Sequence, residues 1–415
     1  MHSILCTDLQ VVKIAFFDGQ KVWGNNGLND PKVVILKKYK QRYTFLAMEN
    51  NSTHKPLRFS RNDPKKFFQT LNKRVNEHFQ KRKASKTGNW QLYVKTFIMF
   101  GLLITPYFLI LLTEFNPWVK LLLAILMGVG MAGVGVNVMH DGNHNSFSRY
   151  PWINKLMGSS IYLLAGNVHN WKVQHNILHH TYTNIHGHDE DLDAGRIIRF
   201  SQHSDWQWYH RFQHYYSVFI YGLLTINWVI SSDFRQISRY LKKKLTYRKE
   251  LHPKRQWVVL IGTKIMYSGI WIVIPMLFMQ LPWWQILIGF FVMHYTAGLI
   301  LSLTFQLAHV IEDAQMPLPD EKTGTMKNTW AIHQLLTTVN FSTRNRFINW
   351  FTGGLNHQIE HHIFPHISHI HYTDIAKIVK KTAKEFNLPY NEYKTTRSAL
   401  FSHFKHLKNM GVQPA

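Results

Sequence analysis

Eight histidines stand in three short groups: His140-Asp-Gly-Asn-His144, His175-Asn-Ile-Leu-His179-His180 and His357-Gln-Ile-Glu-His361-His362. Neutral imidazole is the commonest side-chain metal ligand, and eight exceed what one ion takes, so the pattern points to a two-metal centre. On a helix, residues i and i+4 share a face, which lets His140 and His144 converge. His179 and His180 project about 100° apart and suit two neighbouring metals better than one. His309, in Phe-Gln-Leu-Ala-His-Val, is a further candidate ligand. Imidazole serves iron, copper, zinc and nickel alike, so spacing alone does not name the metal. The chain holds 26 His, and isolated ones such as His203, His210, His214, His252, His403 and His406 read as ordinary hydrogen-bonded or solvated residues of basic loops.

The elements that position these groups are apolar. Residues 96–139 carry only Glu114 and Lys120, beside the turn Asn116-Pro117, and residues 265–311 carry no Lys, Arg, Asp or Glu, with Leu281-Pro282 near their middle. A bilayer core needs roughly 20 apolar residues of helix, so each stretch fits a hairpin of two spanning helices. The expected spans are about 96–113, 119–139, 265–280 and 285–310. The fold class is therefore all-α integral membrane: four spans in two hairpins, with a helical cap carrying the histidines.

Charge sets the expected orientation. The tips Glu114–Trp118 and Gln280–Trp284 have no Lys or Arg, whereas 1–95, 140–256 and 312–415 hold nearly all of them. The positive-inside rule then puts both termini and the histidine groups on the cytoplasmic side. A net charge of +25 favours anionic lipid, acyl-CoA or an acidic carrier protein as neighbour. Nucleic acid is not expected, because the charge follows membrane topology and no nucleic-acid motif accompanies it. The single cysteine, Cys6, excludes an intrachain disulfide and a thiolate metal site. Two further apolar runs lie in the central segment, 156–168 and 212–232. The first is too short to span. A single crossing by the second would move the third histidine group to the opposite face, so it reads as an interfacial or buried helix.

Residues 1–56 differ from the rest and show no secretory signal; Met48 is an alternative start, which would make 1–47 an upstream extension. Residues 62–86 read as a basic amphipathic helix with Asn62 as N-cap and Pro64 in its first turn, its basic face expected on the cytoplasmic leaflet.

The three groups, their order and the hairpin spacing resemble the membrane fatty acid desaturase family. Gly353-Gly-Leu-Asn-His-Gln-Ile-Glu-His-His-Ile-Phe-Pro365 is similar to the front-end type, including bacterial linoleoyl-CoA desaturase-like proteins. The resemblance covers roughly 57–390, leaving 391–415 as a basic C-terminal tail. It implies two non-haem irons that use O2 and two electrons to place a cis double bond in an acyl-CoA or acyl-lipid chain. It also implies that His140, His144, His175, His179, His180, His361 and His362 are ligands, with His309 matching the extra ligand near the end of the fourth helix. Most desaturases begin the third group with His; here that position is Gln358, as in front-end members, and His357 is the alternative ligand. Asp141 and Glu360 would orient imidazoles from outside the ligand set, and Trp171 would line the acyl entrance. Asp189-Glu-Asp-Leu-Asp193 has three readings: orienting ligands, receiving a basic redox partner, or a solvated turn.

The chain shows no His-Pro-Gly-Gly haem motif, so electrons are expected from a separate ferredoxin or cytochrome with its reductase, in a bacterial-type inner-membrane enzyme. Rival functions are an acyl or sphingolipid hydroxylase of the same superfamily and, in another class, a membrane metal transporter. The transporter needs ligands along the spans, where His294 is the main candidate.

Overall fold

The computed structural model describes residues 57–63, 66–246 and 252–413. The N-terminal extension 1–56, with the Met48 start, and Pro64 lie outside the described residues. Among the described residues, four helices are long and apolar enough to cross a membrane: Trp90–Leu112, Pro117–His144, Pro253–Phe278 and Trp283–His309.

Each span starts where local chemistry allows. Asn89 Oδ1 accepts from Gln91 N (2.9 Å), so the first span begins at Trp90 rather than near 96. Asn116 Oδ1 accepts from Val119 N (3.1 Å), with Pro117 in the first turn of the second span. The third span begins at Pro253, a dozen residues ahead of the expected 265. Its early part tolerates Lys264 because the ammonium meets Asp233 Oδ2 (2.8 Å) and the carbonyls of Trp228 and Ala165. A buried charge that is paired and hydrogen-bonded need not end an apolar helix. Outward side chains such as Phe97, Leu112 and Leu277 are more than two-thirds exposed, as lipid-facing residues would be.

The second and fourth spans are held close by small residues. A Cβ on Gly128 would lie 2.5 Å from the Met293 carbonyl oxygen, so only glycine fits there. The run 212–232 does not form a straight helix. Trp208–Gly222 and Leu224–Lys242 meet at a 60° bend, and the second carries Lys264's partner Asp233.

The cap helices used below are α1 (Phe67–Lys81), α2 (Asp233–Lys242), α3 (Gln358–Ile363), α4 (Tyr372–Glu385) and α5 (Thr396–Met410). Two parallel two-residue ladders join them, β1 (Arg58–Phe59) with β2 (Thr325–Met326) and β3 (Asn340–Phe341) with β4 (Glu392–Tyr393). Phe67, Leu71, Val75 and Phe79 of α1 pack with Ile359, Ile363, Ile375 and Val379 of α3 and α4.

Three expectations are corrected. The first helix of the cap starts at Phe67, whose N–H is taken by Asp63 Oδ1 (3.1 Å), so Asn62 is not its N-cap. The apolar face of that helix is buried in the cap core. The segment after 390 is no peripheral tail: β4 pairs with β3, and α5 buries Ala399, His403 and Leu407. His403 and His406 are buried rather than loop residues, bonded to the carbonyls of Val310 (2.6 Å) and Phe200 (2.8 Å).

Gly353 adopts φ +62°, and a Cβ there would sit 2.2 Å from the Val136 carbonyl oxygen of the second span. Gly353→Ala should therefore cost about 1–3 kcal/mol. A thermal melt of the detergent-solubilised protein should show the loss, and an unchanged melting temperature would refute this close approach.

Candidate metal centre

Four segments meet at the ends of the second and fourth spans. The second span runs through a π-turn, Gly135–Met139, directly into His140–His144. The second histidine group also lies on a π-turn, Lys172–His179. A π-turn carries an i→i+5 register, and His175 and His180 accordingly face each other, Nε2 to Nε2, at 3.3 Å. α3 brings His361 and His362, and the fourth span ends on His309.

These residues form overlapping sets whose ligand atoms lie within 4.8 Å of one another: His140, His144, His175 and His361; His179, His309 and His362; and His180, His361 and His362. Ring centroids are 4.5 Å apart for His140 and His361, 4.7 Å for His179 and His309, and 4.4 Å for His180 and His362. His179 thus sits with His309, while His180 lies between the two four- and three-membered sets, which gives the 100° divergence of neighbours a use.

The outer nitrogens are held and the inner ones left open. His179 Nδ1 lies 2.9 Å from Asp189 Oδ2, and His175 Nδ1 lies 2.8 Å from Asp191 Oδ2. His361 Nδ1 meets the Tyr372 hydroxyl at 3.1 Å, and His362 Nδ1 meets Gln334 Oε1 at 2.9 Å. Meanwhile Nε2 of His144, His179, His361 and His362, and both nitrogens of His140 and His309, are buried without a hydrogen-bond partner. A buried polar atom left unpaired costs about 1–3 kcal/mol, a penalty that metal coordination removes. Hydrogen-bonded Nδ1 with free Nε2 is the arrangement that metal-binding imidazoles use. The donor set therefore fits two borderline-soft cations.

Electrostatics agree. Burial first, then neighbouring imidazoles, hold His175, His180, His361 and His362 well below the usual histidine range. They are neutral near pH 7, the form that ligates metal. Burial disfavours charge on His179 too, but Asp189 and Asp191 outweigh it and raise that imidazole.

Gln358 is fully buried, and neither its Oε1 nor its Nε2 has a hydrogen-bond partner. His357 is also buried; its nearest acid is Glu360, 3.7 Å away, and it belongs to none of the histidine sets. Glu360 differs from the expected role. Its carboxylate takes Asn340 Nδ2 (2.8 Å) and the Tyr390 hydroxyl (3.1 Å), so it anchors α3 to β3 instead of orienting a clustered imidazole. Asp141 is 3.9 Å from His140 Nδ1 and binds more tightly to Ser368 Oγ (2.7 Å) and His369 Nδ1 (3.0 Å). Trp171 packs on the first set, 4.5 Å from His175 by ring centroids. In the acidic run 189–193, Asp189 and Asp191 meet His179 and His175, while Glu190 accepts from Arg239 Nη2 (2.5 Å) and Tyr240 (2.6 Å) of α2. Sequence reading missed His369, Tyr372, Gln334 and Thr183, which support the ligands from distant segments. Only the density of His residues after 362 hinted at the first. His294 is not part of a transport path: Tyr267 and Thr225 take its two ring nitrogens.

A family model described as fatty acid desaturase matches residues 116–394. The chain belongs to the fatty acid desaturase family. An sn-1 linoleoyl-lipid 6-desaturase of Arthrospira platensis is 36% identical over 351 residues, covering 84% of this chain and 93% of that protein. One of the same name from Synechocystis sp. is 34% identical, covering 83% and 95%. An acyl-lipid (8-3)-desaturase of Physcomitrium patens is 32% identical, covering 83% and 72%. This desaturase is thus an oxidoreductase of the front-end type.

His179→Ala should abolish metal loading and activity while the chain still inserts in membranes. Asp189→Asn should keep the imidazole in place but weaken metal affinity about 10–100-fold. Metal analysis of the purified variants reads both, and full iron content in His179→Ala would remove that residue from the centre.

Proposed function

We propose that this desaturase places a cis double bond at position 6 of a lipid-linked acyl chain, using two non-haem irons. The observation that carries the metal reading is the convergence of eight imidazoles in which Nε2 of His140, His144, His179, His309, His361 and His362 lacks any protein partner and Nε2 of His175 and His180 meet each other. The lipid-linked substrate and position are supported by the names of the two cyanobacterial relatives. Acyl-CoA is the alternative carrier of the chain.

When bound, the irons supply the oxidising power of O2 and two electrons, which removes two hydrogens from adjacent methylenes and yields two waters. One ion would be held by His140, His144, His175 and His361 and the other by His179, His309 and His362, with His180 close to both sets. Gln358 is the ninth donor, because its carboxamide is buried and unpaired. Asp189, Asp191, Tyr372 and Gln334 fix the ring tautomers by occupying Nδ1. Trp171 and Phe305, whose rings lie 4.5 and 5.8 Å from His175, border the acyl chain and keep water from it.

The spans form two hairpins with short tips facing away from the cytoplasm, and both termini and the centre are cytoplasmic. Charge placement supports that orientation. The bent pair Trp208–Lys242 then stays on the cytoplasmic side without crossing. Electrons come from a separate ferredoxin or cytochrome.

Expression in a host without polyunsaturated fatty acids, fed mono- and di-unsaturated acids, tests the activity. New double bonds mapped by mass spectrometry should appear at position 6 of lipid-linked linoleoyl chains. No new unsaturation despite iron loading and a competent donor would sink the proposal. Within the site, Gln358→Ala should lower activity about 10–100-fold and His357→Ala much less. The reverse ranking would hand the ligand role to His357.

A further inference from the structure

α1 and α4 lie side by side over α3, the helix that carries His361 and His362. Together they carry seven Lys or Arg against three acidic residues. Several of these acids are already engaged: Asp374 by Arg82 (2.5 Å) and Lys377 (3.6 Å), and Glu385 by Arg74 (2.7 Å). Lys81, Lys381 and Lys384 are exposed and have no acidic partner among the described residues.

Two kinds of surface bind such a face, an anionic bilayer or an acidic protein. A helix that rests on a bilayer carries large apolar side chains beside its charges. The first span's start does so, with Trp90 and Tyr93 exposed. α1 and α4 expose no large apolar residue; most of theirs are buried in the cap core, and Phe68 and Ile378 are half-buried against it. Charge without an apolar anchor suits a soluble acidic partner.

The face is also one layer from the centre. Tyr372, the first residue of α4, places its hydroxyl 3.1 Å from His361 Nδ1, and Tyr390, just beyond α4, bonds Glu360 Oε1 (3.1 Å). A protein docked on α1 and α4 therefore sits over the helix bearing two of the ligands.

We propose that the α1–α4 face is the docking surface for a small acidic one-electron carrier protein. The proposal rests on the desaturase reading, which requires two electrons from outside. For each double bond, two carriers, or one carrier twice, each give up one electron at this face. With those two electrons, one O2 and two protons, the acyl chain loses two hydrogens and two waters form. Electrostatic complementarity of this kind acts on encounter and partner choice, and salt weakens it.

The test uses the full chain, iron-loaded, in nanodiscs of neutral phosphatidylcholine, with an acidic plant-type [2Fe–2S] ferredoxin kept reduced by its reductase. The double variant Lys381→Glu/Lys384→Glu should raise KM for ferredoxin roughly tenfold while leaving kcat at saturating ferredoxin unchanged. Single turnover without carrier, in protein reduced by dithionite, freed of excess reductant and then given O2, should also be unchanged, the KM difference should shrink at high salt, and Lys381→Arg/Lys384→Arg should behave like the parent. Ferredoxin binding measured directly by interferometry should weaken in parallel. Equal KM and equal binding for parent and charge-reversed proteins would overturn the proposal. So would an effect that appears only in discs containing phosphatidylglycerol, which would make this a lipid face. If dithionite drives no desaturation in the parent protein, the desaturase reading fails instead, and the binding measurement still decides the docking face.

Discussion

Eight imidazoles must be packed together, most of them buried and with Nε2 free of protein hydrogen bonds apart from the His175–His180 pair, and most of the architecture answers that demand. Packing so many polar rings without water is costly unless cations fill the space between them. The protein meets the constraint by securing the opposite edge of several rings. Asp189, Asp191, Gln334 and Tyr372 come from separate segments and hold Nδ1 of His179, His175, His362 and His361. The geometry of the cluster is thus defined by partners that the protein itself supplies.

The membrane helices serve the same end. They are rigid rods whose ends deliver His140, His144 and His309 to one place, and glycine contacts such as Gly128 against Met293 fix their spacing. The two π-turns adjust the phase of the ligands. An α-helix would align His175 with His179, whereas the wider turn aligns it with His180 and releases His179 towards the second set. The 60° bend between Trp208–Gly222 and Leu224–Lys242 brings α2 back over the acidic turn, where Arg239 and Tyr240 hold Glu190. Lys264 of the third span grips the same helix through Asp233. The second histidine group is thereby braced on both sides by polar contacts that begin in the membrane domain.

The cap divides its labour between faces. Apolar residues of α1 and α4 close the core over α3, so only their basic residues remain outside. This division explains why a helix with a strongly basic face does not need the bilayer for its apolar one. It also draws the C-terminal segment into the fold, since α5 supplies His403 and His406 to buried carbonyls.

The sequence by itself determined the histidine groups, the apolar runs and the family, because each is written in local terms: His spacing, long uncharged runs and the Gly353–Pro365 motif. Composition made 212–232 long and apolar enough to cross, and only the premise of a single site argued against a crossing. Span ends were less legible, since the third begins well before 265 by virtue of an ion pair with a residue 31 positions away. Side-chain partners were the least legible. Glu360 lies between Gln358 and His361 in sequence yet faces Asn340 and Tyr390, and Asp141 follows His140 yet binds Ser368 and His369. The direction a carboxylate points depends on helix phase and on what packs opposite, and only the tertiary structure sets either. It alone decided that the rings of four segments share one space, because what packs around a ring is set by the fold and not by its order in the chain.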